Sequence, residues 1–437
     1  MYGTRHASAI LAILMPDTPE LSLPRCSVAM GQSAAGGLLA MGVGITFARA
    51  MSMAEFGEFS AARGAMTLVG LLTTLGFGRL AAKVYARQDS ENNQIARGFR
   101  TSGPLLILGA SLLSWVLLVG FHATIYEKTA IRLSSFAAVL SLLPLTTLLV
   151  FFQNSSAAHG AAIRASAIKG WVLQSLLLVL LATSTIFWGE HLTVLQAAAV
   201  LAVANSIALI AMWRLCLRVE PSHLKDGEST FVLREWLAIG MTFAIATLAT
   251  GTLERGGVVV LGWVTADADA AARLVAASQL TYIIILAGFG LRGVFVPKIA
   301  EAVANQNREQ TIAIMQRWFL ILIPPVVVAL LLIVFSGRWL LGLFGDSFIE
   351  GYPTLVVFGL NYALGAVLLF FVPLAQYQGH GRFVMKTMII AAVGGLVGMI
   401  VLAHYWREFG VAIALTAALS LASSLIAVFA WRRVTNG

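Results

Sequence analysis

The sequence predicts an all-α integral membrane protein of about twelve transmembrane helices, arranged as two six-helix bundles related by a pseudo-two-fold axis along the membrane normal. Three observations carry this expectation. The 437 residues are 59% hydrophobic and 11% charged, with a mean hydropathy of +0.87, whereas roughly a quarter of a soluble domain is charged. Uncharged apolar runs long enough to cross a bilayer recur along the chain. The longest segment between two such runs falls at the midpoint.

The runs cover residues 27–49, 60–84, 101–123, 134–156, 170–188 and 194–216, then 236–263, 270–296, 314–336, 353–375, 386–404 and 411–431. Segment 217–235, with Glu220, Pro221, Lys225, Asp226, Gly227 and Glu228, reads as a cytosolic linker between a first bundle, 27–216, and a second, 236–431. Residues 1–26 and 432–437 are then terminal tails. The first tail holds Arg5 and a brief apolar run, Ile10 to Met15, followed by Asp17 and Glu20 without a small-residue cleavage site, and reads as cytosolic rather than as a signal peptide. Gly36, Gly37, Gly42 and Gly44 in the first run, and Gly394, Gly395 and Gly398 in the eleventh, suit close helix packing. Pro144, Pro324, Pro325 and Pro373 predict interrupted or bent helices, because proline removes a backbone donor.

Lysine and arginine set the orientation. With a cytosolic amino terminus, nineteen basic residues fall in inside segments, and only Arg49, Lys128, Arg132, Arg273, Arg338 and Arg407 fall outside. An even number of spans then places both termini in the cytosol. Two corresponding spans reinforce the repeat. Gly76-Phe77-Gly78-Arg79 in the second is matched by Gly288-Phe289-Gly290 with Arg292 in the eighth. Six spans per half make such a repeat parallel.

The same features exclude several functions. The charge of +9 and pI of 9.9 arise from short clusters beside apolar runs, not from a basic surface for nucleic acid. Cys26 and Cys216 build neither a disulfide framework nor a metal site. The seven histidines lack metal-ligand spacing and no G-x-x-x-x-G-K-[ST] motif occurs. The outer loops are too short for a soluble catalytic domain. No enzyme, cofactor or metal is expected.

A charge inside a span costs roughly 2.5–3.5 kcal/mol on insertion scales and tends to face a bundle interior or an aqueous cavity. Glu254 and Arg255 in the seventh run are therefore the first candidates for a site. Arg255 suits an anionic group on a substrate, and Glu254 suits ion coupling; a structural ion pair to another helix is the competing reading. Arg63 is placed in the first turn of the second run, where it either snorkels to headgroups or enters a cavity. Arg79 and Arg292 flank the repeated tripeptides near the cytosolic side, where snorkelling competes with binding a pyrophosphate. Gln32, Gln153, Asn154, Gln174, Asn205 and Asn361 are uncharged polar positions open to sugar hydroxyls or to interhelical bonds.

Longer motifs add a family resemblance. Arg49 at the end of the first run, the turn Glu55-Phe56-Gly57-Glu58-Phe59 and the Gly-rich stretch Leu71 to Arg79 resemble the opening of polysaccharide flippases. Val296-Pro297-Lys298-Ile299-Ala300 and Leu341-Gly342-Leu343-Phe344-Gly345-Asp346-Ser347-Phe348 are similar to that family's eighth-span exit and its segment before the tenth span. The resemblance implies membership of the multidrug, oligosaccharidyl-lipid and polysaccharide exporter superfamily and a cavity lined chiefly by the first, second, seventh and eighth spans. It implies a polyprenyl-pyrophosphate-linked glycan as substrate, moved by alternating access within membrane lipid. Proton or sodium coupling, and a polysaccharide polymerase with export machinery as partners, are compatible with it. A multidrug exporter of cations from the same superfamily is the alternative. From another class, an integral-membrane glycosyltransferase or polymerase would need a large acidic outer loop.

Overall fold

The structure, a computed structural model, describes residues 23–85, 90–189, 191–224 and 227–436. Most of the amino-terminal tail lies outside the described residues, as do the side chains of Cys26 and Gln32. Every regular element described is helical, as lipid requires of a chain whose backbone must satisfy its own hydrogen bonds.

Helix α1 spans Leu23–Ala50. Helix α2, Met53–Thr73, starts where the Ser52 hydroxyl accepts from the Glu55 backbone N–H, an N-cap arrangement. Glu55 and Glu58 thus lie inside the helix. Glu58 is tolerated there because Arg132 donates to it through Nε at 3.1 Å, Nη2 at 2.8 Å and the backbone N–H at 2.8 Å. The hydrogen bond from Arg132 to Glu58 also holds the Arg132 guanidinium above its ordinary pKa. Hydropathy placed the start of this span at residue 60 because the two glutamates mask it. Arg63 is consequently ten residues into α2, about 15 Å along the axis. This corrects the expected first-turn position and removes the snorkelling reading for Arg63.

At Leu75 (φ 51°) and Gly76 (φ 66°) the backbone turns left-handed, and α3, Phe77–Val84, leaves in a new direction. A Cβ on Gly76 would overlap the Gly240 carbonyl, so only glycine fits both the dihedral and the packing. Gly76→Ala is expected to cost about 2 kcal/mol or more, read as a lower thermal midpoint of the purified protein. Gly288 and Gly290, in contrast, lie inside an uninterrupted helix, so the two tripeptides match in sequence position but not in conformation.

Helix α4 is Ser90–Ile125. The next span is α5, Leu133–Leu140, and α6, Leu143–Ser156, separated just ahead of Pro144. His159 and Gly160 (φ 83°) then leave helical dihedrals and reverse the chain. Helix α7, Ala162–Ala167, passes through a π-helical turn at Ile168–Val172 into α8, Leu173–Trp188. Helix α9, Val194–Val219, opens with a capping box between Thr193 and Gln196.

The second half comprises α10, Leu233–Trp263; α11, Ala268–Ala304; α12, Arg308–Gly342; α13, Tyr352–Leu368; α14, Phe371–Ala375; and α15, Gly381–Asn436. Pro324 and Pro325 sit inside a continuous α12, so the expected interruption there does not occur. Helix α15 folds back on itself at Trp406 and Arg407, which sets Gly398 against Ala414 and Gly395 against Ala418. Nine described segments are long and apolar enough to cross a membrane, with Ala35–Ala50 as a shorter apolar helix. The segments Leu133–Phe187 and Phe371–Thr435 each contain a reversal and so cross twice. Twelve crossings in two bundles result, the fold class expected from the sequence.

Glu220 and the stretch 228–230 lie along α4. Glu220 pairs with Arg100 at 2.6 Å, Arg97 donates to the Glu228 carbonyl at 3.2 Å, and the Thr230 N–H donates to the Gln94 carbonyl at 3.0 Å. On the opposite, far side the two halves meet directly through α1 and α2 against α10 and α11. Arg49 donates to the Leu343 and Gly342 carbonyls at 2.7 and 3.0 Å, covering the open carbonyls at the end of α12. The Ala130 N–H donates to the Gly262 carbonyl at 2.9 Å. Phe56 packs edge-on against Phe348, and Gly57 lets α2 approach the Ala268 carbonyl.

Candidate functional site

Three adjoining cavities occupy the space between the bundles. The central one, about 290 Å³, is walled chiefly by α1, α2, α10 and α11, with Gln174 of α8 and Tyr362 of α13 completing it, and Arg63, Glu254, Arg255, Gln279 and Tyr282 line it. A second, about 440 Å³, extends into the first half, where Arg63, Arg79, Asn154, Lys169, Gln174 and Asn205 line it. The third, about 300 Å³, extends into the second half past Arg79, Glu254, Arg292, Asn361, Tyr362 and Gln376. Arg63 borders the first two, Arg79 the second and third, and Glu254 the first and third. The cavities therefore form one branched site.

Backbone geometry explains how the charges converge. Glu254 is nine residues from the far end of α10, about 13 Å at 1.5 Å per residue. Arg63 is at a similar depth on the adjacent α2. Both lie near the middle of a hydrocarbon core about 30 Å thick. Gly64 allows this approach, since a Cβ there would press against Val258 Cγ1 at 2.6 Å. Glu254 and Arg255 are consecutive and diverge around the helix; Arg255 reaches the central cavity, whereas Glu254 also borders the second-half branch. The break at Gly76 re-aims α3, placing Arg79, its third residue, where the two side branches join.

All five charged candidates thus line one continuous space. Among the described residues none of the five makes a salt bridge or side-chain hydrogen bond. Arginines at this depth without protein partners are costly unless solvated or ligand-bound. Of the uncharged positions, Asn154, Gln174, Asn205 and Asn361 line the side branches, while Gln153 lines none of the three cavities. Asn154 and Asn205 spend their amide N–H on the Val150 and Leu201 carbonyls of their own helices, both at 2.8 Å, leaving the side-chain oxygens as acceptors.

Tyr282, Tyr362 and Gln376 line the cavities without standing out in the sequence, and two further polar site residues, Lys169 and Gln279, also escaped sequence reasoning. Lys169 lies between the fourth and fifth runs, among the nineteen basic residues of the inside segments, but the π-helical turn at Ile168–Val172 carries it into the first-half branch. Gln279 Oε1 is buried without a hydrogen-bond partner among the described residues and borders the central cavity. An amphipathic charge or amide on an otherwise apolar helix was the available signal, but its direction around the helix is set by local winding.

Four arginines and Lys169 against the single carboxylate Glu254 make the lining of this space net positive. A family model described as polysaccharide biosynthesis protein matches residues 27–274, more than half of the chain. The chain belongs to this family. It is a multi-pass membrane protein with the fold of the multidrug, oligosaccharidyl-lipid and polysaccharide exporter superfamily. No curated protein matches it significantly. Among solved structures, an inward-facing multidrug resistance MATE family transporter of that superfamily aligns at a TM-score of 0.71 with 16% identity, over 92% of this chain and 95% of that one. The lipid II flippase MurJ, in an inward closed conformation, aligns at 0.65 with 13% identity, over 93% and 87%. A superfamily transporter from Pyrococcus furiosus, whose description reports a binding pocket of reversed polarity, aligns at 0.63 with 14% identity, over 97% of each chain. At these identities the likeness is one of fold.

Proposed function

We propose that the protein is an inner-membrane flippase that moves polyprenyl-pyrophosphate-linked oligosaccharide from the cytosolic to the outer leaflet for surface polysaccharide assembly. The observation that carries this reading is the unpaired set Arg63, Arg79, Arg255 and Arg292 around one branched cavity in a member of a polysaccharide biosynthesis family. Arginine presents a planar fork of donors matched to phosphate oxygens and stays charged. Arg79 and Arg292, towards the linker side, meet the pyrophosphate first. Arg63 and Arg255 receive it at mid-depth, while the amides and hydroxyls of the branches replace the hydration of the sugars.

The linker side is the cytosolic side in this reading, and the far-side contacts between the halves form the closed outer gate. Rocking of one half against the other, with the polyprenyl tail left in lipid, completes transport. The multidrug-exporter alternative draws on the MATE likeness, but a cavity with several arginines and a single carboxylate repels cations. Deleting the gene should abolish the surface polysaccharide and leave resistance to cationic dyes unchanged; the reverse outcome rejects the flippase assignment.

Glu254 is the proposed coupling group, as the sole carboxylate among the residues lining the three cavities. Glu254→Gln keeps the shape and removes the titratable charge. It should make the transport rate of reconstituted protein insensitive to an imposed proton or sodium gradient, whereas the parent protein responds to one of them.

A further inference from the structure

We infer that His122 is a proton-binding site at the far-side contact between the halves, and that protonation there favours opening of that side. The inference rests on the alternating-access reading above. His122 lies in the last turn of α4 and is 1% exposed. Both ring nitrogens are engaged: Nε2 is 3.0 Å from the Ile131 carbonyl, and Trp263 Nε1 donates to Nδ1 at 3.2 Å.

These partners fix the tautomer. An indole N–H only donates and a carbonyl only accepts, so Nδ1 must be the bare acceptor and Nε2 must carry the proton. The closed contact accommodates only neutral imidazole. A proton added to Nδ1 would set two N–H groups head to head and bury an unpaired charge.

The bond also spans the two halves. His122 belongs to the first, Trp263 is the last residue of α10 in the second, and the Ala130 N–H to Gly262 carbonyl bond runs alongside. Phe136 of α5 packs against the ring at a tilt, its centroid 4.4 Å away, and meets Trp263 edge-on. No charged group contacts the imidazole from α4, α5 or α10 among the described residues. The charged groups of the adjoining loop are Glu127 and Lys128, both exposed, and Arg132, which is neutralised by Glu58 and, more distantly, Glu55 of α2. Nothing at the contact therefore offsets an imidazolium.

When the halves part, Trp263 leaves and Nδ1 gains access to the aqueous far side, where it can take a proton in the physiological range of histidine. A proton that binds the far-open state more tightly must shift the population towards that state. Acidification on the far side thus favours opening, and closure expels the proton.

The test is the distance between spin labels at Lys128→Cys and Ser347→Cys, across this contact, in protein whose Cys26 and Cys216 are replaced. Between pH of about 7.5 and about 5, the long-distance fraction should rise at least threefold, by rough estimate. His122→Gln retains one acceptor and one donor but cannot titrate. It should fold, stay closed and lose the pH response, which a purely structural histidine would not predict. Arg49→Ala loosens the same face by another route and serves as reference. If it populates the long distance while the parent protein ignores pH, or if His122→Gln still responds, the proton site is rejected. If neither acidification nor Arg49→Ala ever lengthens the distance, the halves do not part and the alternating-access reading itself fails.

Discussion

Replacing Arg63 or Arg255 with alanine is expected to slow flipping of a polyprenyl-pyrophosphate oligosaccharide by about one to two orders of magnitude. Each guanidinium offers charge-assisted hydrogen bonds worth about 1.5–3 kcal/mol, and about 1.4 kcal/mol corresponds to a factor of ten. The two arginines line the same central cavity, so the double variant should lose more than either alone, without strict additivity. Lysine at either position should restore part of the rate, because it keeps the charge but not the bidentate fork. Neither side chain holds a salt bridge or hydrogen bond to the described protein, so folding should survive. A thermal midpoint within a few degrees of the parent, measured beside the initial rate in proteoliposomes, separates this outcome from simple misfolding. Unchanged transport in the double variant would remove both residues from the site.

Arg273→Ala should produce the largest loss of stability. Arg273 is 6% exposed near the far end of α11, donating through Nε to Glu408 at 2.5 Å and through Nη1 to Glu350 at 3.1 Å. It ties α11 to the turn before α13 and to the reversal within α15. Arg407, held in left-handed backbone at φ 49°, pairs with Asp267 beside it. Removing Arg273 strands the Glu408 carboxylate, itself 8% exposed with Oε2 already lacking a partner among the described residues. Breaking a buried pair from one side costs about 3–5 kcal/mol. A fall of several degrees in the midpoint of detergent-solubilised protein checks this. Because apolar residues of similar volume can replace a buried pair at little cost, Arg273→Met with Glu408→Met should recover much of the loss.

The crossings were legible because hydropathy reports which segments live in lipid. The reversals at His159–Gly160 and Trp406–Arg407 fall where the apolar runs were separated. The site was legible only as charges out of place. Arg63, Arg79, Glu254, Arg255 and Arg292 stand out against apolar surroundings, but their directions depend on features that average hydropathy cannot report. Glu55 and Glu58 hid the first turns of α2, so Arg63 seemed shallow. The left-handed pair Leu75 and Gly76 redirects Arg79, while the same tripeptide around Phe289 stays helical. Lys169 depends on a single π-helical turn. The Arg273 cluster was unreadable for another reason: its partners Glu350 and Glu408 are 77 and 135 residues away in sequence.

The central claim is that the cavity between the halves carries an anionic lipid-linked glycan and not a cation. Purified protein in sealed vesicles, given a polyprenyl-pyrophosphate oligosaccharide in one leaflet and, separately, a cationic dye, tests it most directly. The account predicts time-dependent appearance of the glycan in the opposite leaflet, reduced by Arg63→Ala with Arg255→Ala, and no dye movement above protein-free vesicles. Dye transport with an immobile glycan would contradict it.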